Sequence, residues 1–329
     1  MNKKNVFIVV ALFFIISFFF NLSFGGSGIN IKDILTYVFN RDQINDLDRF
    51  ETILFDIRLP RTVVAMMAGA CLSASGVLIQ AVMKNPLADS GILGIQSGAT
   101  LVALLIMLVY PALAPIMPIA AFLGGFAVYL LLMSTAFKSG FSPIKLVLTG
   151  VAINALIGAV IGMVTIYNSE KIQNALAWLN GSFASVDTSD MYLMIIYGSL
   201  ALIASLLLIK KCNLLLLDDA TIITIGENLM QTRFIVASLS VLLASISVSI
   251  VGIIGFIGLV VPHIGRMIVG SRHEYLLPFS ITIGASLTMF ADGFQKWFFN
   301  PVEIPAGTII SFIGASFFFY LLIREQKYD

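Results

Sequence analysis

The chain has 329 residues, of which 59% are hydrophobic and 11% charged, with a formal net charge of +1 and two cysteines. A soluble domain carries about a quarter charged residues, so this composition, with a mean hydropathy of +0.99, excludes an ordinary soluble fold. The near-zero net charge carries no signal for nucleic acid or an acidic partner.

Apolar runs of the ~20 residues needed to cross a hydrocarbon core recur along the whole length, without the alternation of a membrane barrel. The expected class is therefore all-α: a single polytopic domain over 1–329, embedded in a lipid bilayer. Spans are predicted near 6–24, 61–83, 91–109, 116–135, 146–166, 191–209, 234–254, 257–269, 276–296 and 305–323. The stretch 257–269 is short for a perpendicular crossing. Dropping it would move the C-terminus to the other side.

Basic loops stay cytoplasmic. With the N-terminus inside, ten spans leave only Lys32, Arg41, Arg49, Arg58, Arg61, Lys171 and Lys296 outside, among acids such as Asp33, Asp42, Asp292 and Glu303. The other basic residues, from Lys3 and Lys4 through Lys84, Lys138, Arg233 and Arg266 to Arg324 and Lys327, fall inside. That asymmetry predicts ten spans with both termini cytoplasmic. A cleaved leader is the competing reading of residues 1–24, but no A-x-A-like site follows them.

Residues 25–57 are the longest polar connection and are expected outside, with one short surface helix. Arg58 and Arg61 flank Pro60, which is suited to a first helical turn. Three residues apart, they share one face at the outer mouth of a span. In that span Gly69, Ala70, Ser73 and Gly76 permit close helix packing in lipid. Asn85-Pro86 ends it just after Lys84, and Gly91, Gly94 and Gly98 open the next. Gly158 and Gly162 give another span a small-xxx-small face, with Asn154 as interhelical glue.

Residues 167–190 are expected as a second external feature, with Leu176 and Leu179 turned inward, Trp178 at the membrane interface and a break at Gly181-Ser182. The inner connection 210–233 mixes Leu214, Leu217, Ile222, Ile225 and Leu229 with Asp218, Asp219 and Glu227. Gly226 is expected to divide it into two short helices facing the bundle or a cytoplasmic partner. Farther on, Gly252, Gly255, Gly258 and Pro262 interrupt an apolar run, a pattern tolerated where neighbours or a cavity satisfy the freed backbone groups. His263 reads as a packing residue. Asp292 and Lys296 share a face at the outer end of the ninth span and are expected to snorkel.

No catalytic or nucleotide-binding pattern is present: no H-E-x-x-H, G-x-S-x-G or P-loop. Cys71 and Cys212 make neither a disulfide framework nor a zinc site. No catalytic residue, metal or cofactor is assigned. An ion-coupled secondary transporter would carry a carboxylate near mid-span, and the acids here fall in loops or at span ends. An intramembrane enzyme lacks its catalytic pair.

The segments RLPR (58–61), GACLSASGVLIQAVMKNPLADSGILGIQSGA (69–99), LTGVAINAL (148–156), WLNGS (178–182), GFIGLVVPHIGR (255–266), GASLTMFAD (284–292) and EIPAGTIISFIGASFFFYLL (303–322) resemble the FecCD family. These are permease subunits of ABC importers for iron siderophores, haem and cobalamin. The resemblance implies a second permease copy or paralogue, a cytoplasmic ATP-binding subunit that hydrolyses ATP, and an extracytoplasmic solute-binding protein, in the cytoplasmic membrane of a bacterium. It implies docking of the binding protein at Arg58, Arg61 and Lys296. Lys296 stands where the cobalamin member has arginine, and keeps the charge without the bidentate fork.

It further implies ATPase coupling through paired helices near 213–230, with Asp218, Ala220, Gly226 and Glu227, and a gate candidate at Trp178, Gly181 and Ser182. The fifth and tenth spans are expected to line the pathway. Ser90 departs from the family's frequent proline. The expected cargo is a ferric siderophore, with haem or cobalamin as alternatives.

Overall fold

The computed structural model describes residues 3–25, 29, 31–40, 44, 46–91, 93–139, 143–170 and 172–325. Arg41, Asp42, Lys171 and Lys327 lie outside them, as do the side chains of Lys138 and Arg324. Among the described residues all regular structure is helical. We label the helices α1 (Lys3–Ser23), α2 (Ile31–Phe39), α3 (Leu47–Met83), α4 (Ile95–Leu108), α5 (Met117–Ser139), α6 (Pro143–Tyr167), α7 (Ile172–Leu179), α8 (Thr188–Leu207), α9 (Ile209–Leu214), α10 (Asp219–Thr224), α11 (Leu229–Val251), α12 (Ile257–Val269), α13 (His273–Phe298) and α14 (Ala306–Glu325). Among the described residues seven segments, from α1 to α13, are long and apolar enough to cross a membrane, and three shorter apolar helices accompany them at Ile95–Leu108, Ile257–Val269 and Ala306–Tyr320.

Helix α3 is the centre of the bundle. Of its most apolar window 89% is buried, against 11% for α6. Small residues make this possible, because in lipid the approach of backbones replaces the missing hydrophobic drive. Gly69 lies against the Gly284 backbone of α13, and Gly76 against the Gly258 backbone of α12, leaving no room for a Cβ at either. Hydroxyls then stitch the helices: Thr288 Oγ1 donates to Ala65 O at 2.7 Å, and Ser75 and Ser240 exchange bonds to each other's carbonyls at 2.9 and 2.8 Å. By contrast Gly158 and Gly162 on α6 meet nothing in the described residues. Their face is open, and Leu156, Met163 and Ile166 beside it are exposed.

Helix α3 begins at Leu47 rather than near residue 61, and Pro60 stands in the first turn of its regular α-helical part, Leu59–Met83, as expected. The turns over Thr52–Arg58 widen to π geometry just before Pro60. A ring without an N–H is accommodated where the regular ladder is already offset. At the other end Lys84 closes the helix in the left-handed region (φ 48°). Helix α4 starts later than expected, at Ile95, because Gly94 sits at φ 80°. The turn between them is held by side chains: Asn85 Oδ1 accepts from Leu87 N, and the buried Asp89 accepts from Gly91 N at 2.7 Å. Ser90 is also buried, and its hydroxyl accepts from Gln96 Nε2 at 2.9 Å.

The glycine-rich interruption is a real break. Gly252 (φ 75°) ends α11, residues 252–256 are non-helical, and Phe256 (φ 67°) precedes α12. The freed carbonyls find donors: Trp178 Nε1 to Ile250 O (3.1 Å), Ser182 N to Val251 O (3.0 Å) and Gln80 Nε2 to Gly258 O (3.1 Å). Such partners are what a break at membrane depth requires.

Candidate functional site

At the end of the bundle assigned to the outside, Asp292 is 0% exposed although it lies near the end of α13. It does not snorkel as expected, because four donor groups on three helices reach it. Arg61 of α3 grips it through Nε (3.1 Å to both oxygens) and Nη2 (2.9 Å). Lys296, one turn along α13, reaches Oδ2 at 3.0 Å, and Asn21 Nδ2 of α1 does the same at 3.0 Å. Asn21 carries the network further, accepting from Thr62 Oγ1 (2.7 Å) and from Lys296 Nζ (2.9 Å). Buried charges persist when paired and hydrogen-bonded in this way.

The three basic residues expected to dock a partner therefore have unequal positions. Arg58 is only 4% exposed and donates through Nη1 to Leu22 O (2.8 Å) and Ser23 O (3.1 Å), satisfying the last carbonyls of α1. Lys296 is turned to Asp292 and Asn21. Arg61 alone reaches toward the surface, where Nη1 meets Glu303 Oε1 at 3.1 Å, and Glu303 is 54% exposed. All three still line one cavity at this end, of about 290 Å³, together with Phe24, Gln295 and Glu303. Asn21 escaped the sequence reading; its signal was a lone amide in an otherwise apolar span.

At the opposite end, Asp219 begins α10 and bridges two helices. Lys84 Nζ, at the end of α3, lies 2.7 Å from Oδ1, and Arg233 Nη2 of α11 contacts both oxygens at 3.0 Å. Lys84 also donates to Leu217 O. Partial burial opposes ionisation of Asp219, but the Lys84 and Arg233 cations outweigh it and hold the carboxyl below the usual carboxylate range. Asp218, Ala220, Gly226 and Glu227 are all exposed, as are Ile223 and Ile225. The division of 213–230 differs from expectation. Helices α9 and α10 are separated at 215–218, and Gly226 (φ 86°) lies between α10 and the start of α11, where Asn228 Oδ1 accepts from Gln231 N. Leu217 and Ile225 point outward, and of the expected apolar face only Ile222 is fully buried. Two adjacent aspartates look alike in a sequence, and packing alone makes Asp219 the held one.

The gate candidate packs into the helix break. Trp178 is buried rather than interfacial, with its indole donating to α11 and its backbone carbonyl against Gly252. Gly181 (φ 74°) lies against Ile253 O, and its own carbonyl accepts from Gly307 N at 2.8 Å. Ser182 is buried, and its backbone N–H joins Val251. Among the described side chains of α7, Ala175 and Trp178 are buried and Leu179 packs inward as expected, whereas Leu176 is exposed. WLNGS thus ties α7 to α11 and to the first turn of α14. Among the described residues no group of three or more His, Cys, Asp or Glu is placed to hold a metal.

Comparison with known proteins covers nearly the whole chain. The model of the FecCD transport family matches residues 13–324. The IsdF proteins of Staphylococcus aureus strains MSSA476 and Newman, named as heme-iron transport system permeases, are 34% identical over 326 residues, 99% of this chain and 98% of theirs. Among solved structures, an inward-facing transporter described as of the metal-chelate ABC type superposes with a TM-score of 0.83 at 28% identity, covering 98% of this chain and 99% of that one. The Streptococcus pneumoniae PsaBC structure has a TM-score of 0.59 at 18% identity over 87% of this chain and 94% of that one, a likeness of fold alone.

Proposed function

The chain belongs to the FecCD transport family, and from that premise we propose that it is the membrane subunit through which an iron chelate, haem in the first instance, enters the cell. It is a multi-pass ABC importer permease. The observation that carries the cargo reading is the full-length similarity to relatives named for heme-iron transport. A ferric siderophore, expected from the sequence, becomes the second reading.

In this proposal the chain has ten spans, both termini in the cytoplasm, and sits in a bacterial cytoplasmic membrane. Two permeases pair, and the open Gly158/Gly162 face of α6 and the exposed Phe312, Phe319 and Tyr320 of α14 are surfaces suited to that contact or to the pathway. A loaded binding protein presents a carboxylate to the outer cavity. Arg61 receives it by exchanging Glu303, and Arg58 and Lys296 hold the α1 end and the Asp292 carboxylate that position Arg61. ATP binding in the partner subunit moves the exposed 218–228 segment. The Lys84–Asp219–Arg233 bridge conveys that motion to α3 and α11, against the broken α11–α12 junction where Trp178, Gly181 and Ser182 form the gate.

The test is uptake of labelled iron supplied as haem or as ferric siderophores, in cells with and without this gene, with cobalamin alongside. Selective loss of haem uptake supports the first reading. Selective loss of siderophore uptake replaces it with the second. Unaltered uptake of all three overturns both.

A further inference from the structure

At the end of the bundle that holds Lys84 and Asp219, a cavity of about 280 Å³ is lined by Gln80, Lys84, Asn85, Leu215, Arg266 and His273. Among these described lining residues there is no carboxylate. Lys84 commits much of its charge to Asp219. Arg266 is different: Nη1 donates to the neutral Gln80 Oε1 at 2.6 Å, which uses one of its five N–H donors. A guanidinium fork facing a cavity is matched by a phosphate oxyanion.

His273 supplies a second, independent indication of a ligand. It is 1% exposed, and its Nε2 has no hydrogen-bond partner. The tautomer follows from its neighbour. Asn213 Oδ1 accepts from the His273 backbone N–H at 2.9 Å, which fixes the amide oxygen on that side. The Nδ1 at 3.0 Å must then carry a proton and donate to the same oxygen. Nε2, on the opposite edge of the ring, is left as an acceptor in the neutral side chain. A buried acceptor without a donor is costly, and a ligand hydroxyl satisfies it.

We infer that this cavity binds a phosphate group bearing a nearby hydroxyl, with the oxyanion on Arg266 and the hydroxyl donated to His273 Nε2. Basic pockets between helices at an anionic leaflet take up lipid headgroups, and a phosphatidylglycerol headgroup has both functions. Free hydrogen phosphate has them too. Because Leu215 and Leu216 of the lining lead directly into the Asp218–Asp219 turn, occupancy would stiffen the segment that the proposed function assigns to coupling.

The experiment uses the full chain, purified with the subunits it assembles with and placed in nanodiscs of phosphatidylcholine, with or without phosphatidylglycerol, and in phosphatidylcholine with inorganic phosphate added. Bound lipid is read by native mass spectrometry and stability by thermal unfolding. Wild type is expected to retain phosphatidylglycerol over phosphatidylcholine, and Arg266→Gln to reduce that preference about fivefold. His273→Phe should reduce it less, and Arg266→Lys should keep most of it. Stabilisation by phosphate alone, lost in Arg266→Gln, assigns the site to the soluble ion. Equal retention of both lipids together with no effect of phosphate overturns the inference, as does a preference unchanged in both Arg266→Gln and His273→Phe. None of these readouts depends on the transported cargo.

Discussion

Two aspartates organise the two ends of this molecule, and they do so under opposite conditions. Asp292 is 0% exposed and Asp219 is 45% exposed, yet each holds an arginine from another helix and a lysine, which for Asp292 comes from its own helix and for Asp219 from α3. At the buried site the ions cannot return to water, so losing one partner strands the others. At the half-exposed site Asp219 and Lys84 stay within reach of water and form a weak tether, while Arg233, itself only 4% exposed, depends on Asp219 for its charge partner. The Asp292 end is thereby built as a fixed platform, and the Asp219 end as a looser connection through Lys84.

The largest expected effect is at the platform. Asp292→Ala leaves Arg61 and Lys296 buried without their carboxylate and should cost about 3–5 kcal/mol, read as a large fall in Tm in detergent. A loss below 1 kcal/mol would erase the contrast between the two ends. Gly69→Ala comes next, at about 1–3 kcal/mol for overpacking against the Gly284 backbone, measured in the same assay. Asp219→Asn keeps an acceptor for the buried Arg233 but removes the charge, and should cost about 1–3 kcal/mol, with high salt masking only the Lys84 part.

The pH response sharpens the same contrast. The Asp219 carboxyl titrates below its unfolded value, so its contribution is complete above about pH 4 and is lost as pH falls through the lower folded value. The stability advantage of wild type over Asp219→Asn, read as a difference in Tm, should accordingly vary little between about pH 5 and 8 and shrink on stronger acidification. Two smaller effects concern function rather than stability. Glu303→Gln removes the exposed competitor for Arg61 and should tighten binding-protein docking severalfold at low salt; unchanged or weaker affinity would refute the exchange. Glu227→Lys should leave the unfolding free energy within about 0.5 kcal/mol of wild type while uncoupling ATP hydrolysis from uptake, and normal uptake would remove Glu227 from the coupling segment.

Composition and hydropathy were enough to establish a polytopic helical protein, since no soluble chain tolerates so few charges, and the ordered motifs from Arg58 to Leu322 identified the family. The same sequence marked the small residues of α3 and the glycine interruption at 252–258, because both are dictated by backbone geometry. It did not reveal that Arg58 faces inward, that Asp292 is fully buried, that Trp178 fills the helix break, or that Asp219 rather than Asp218 is gripped. Each of these depends on residues more than a hundred positions away or on another helix, as Asn21 and Arg61 meet Asp292 and Trp178 meets Ile250. Local sequence determines which backbone can cross a membrane. Which charges are shielded, paired or left exposed is decided only when the helices pack, because desolvation and Coulomb energy depend on neighbours that chain order does not bring together.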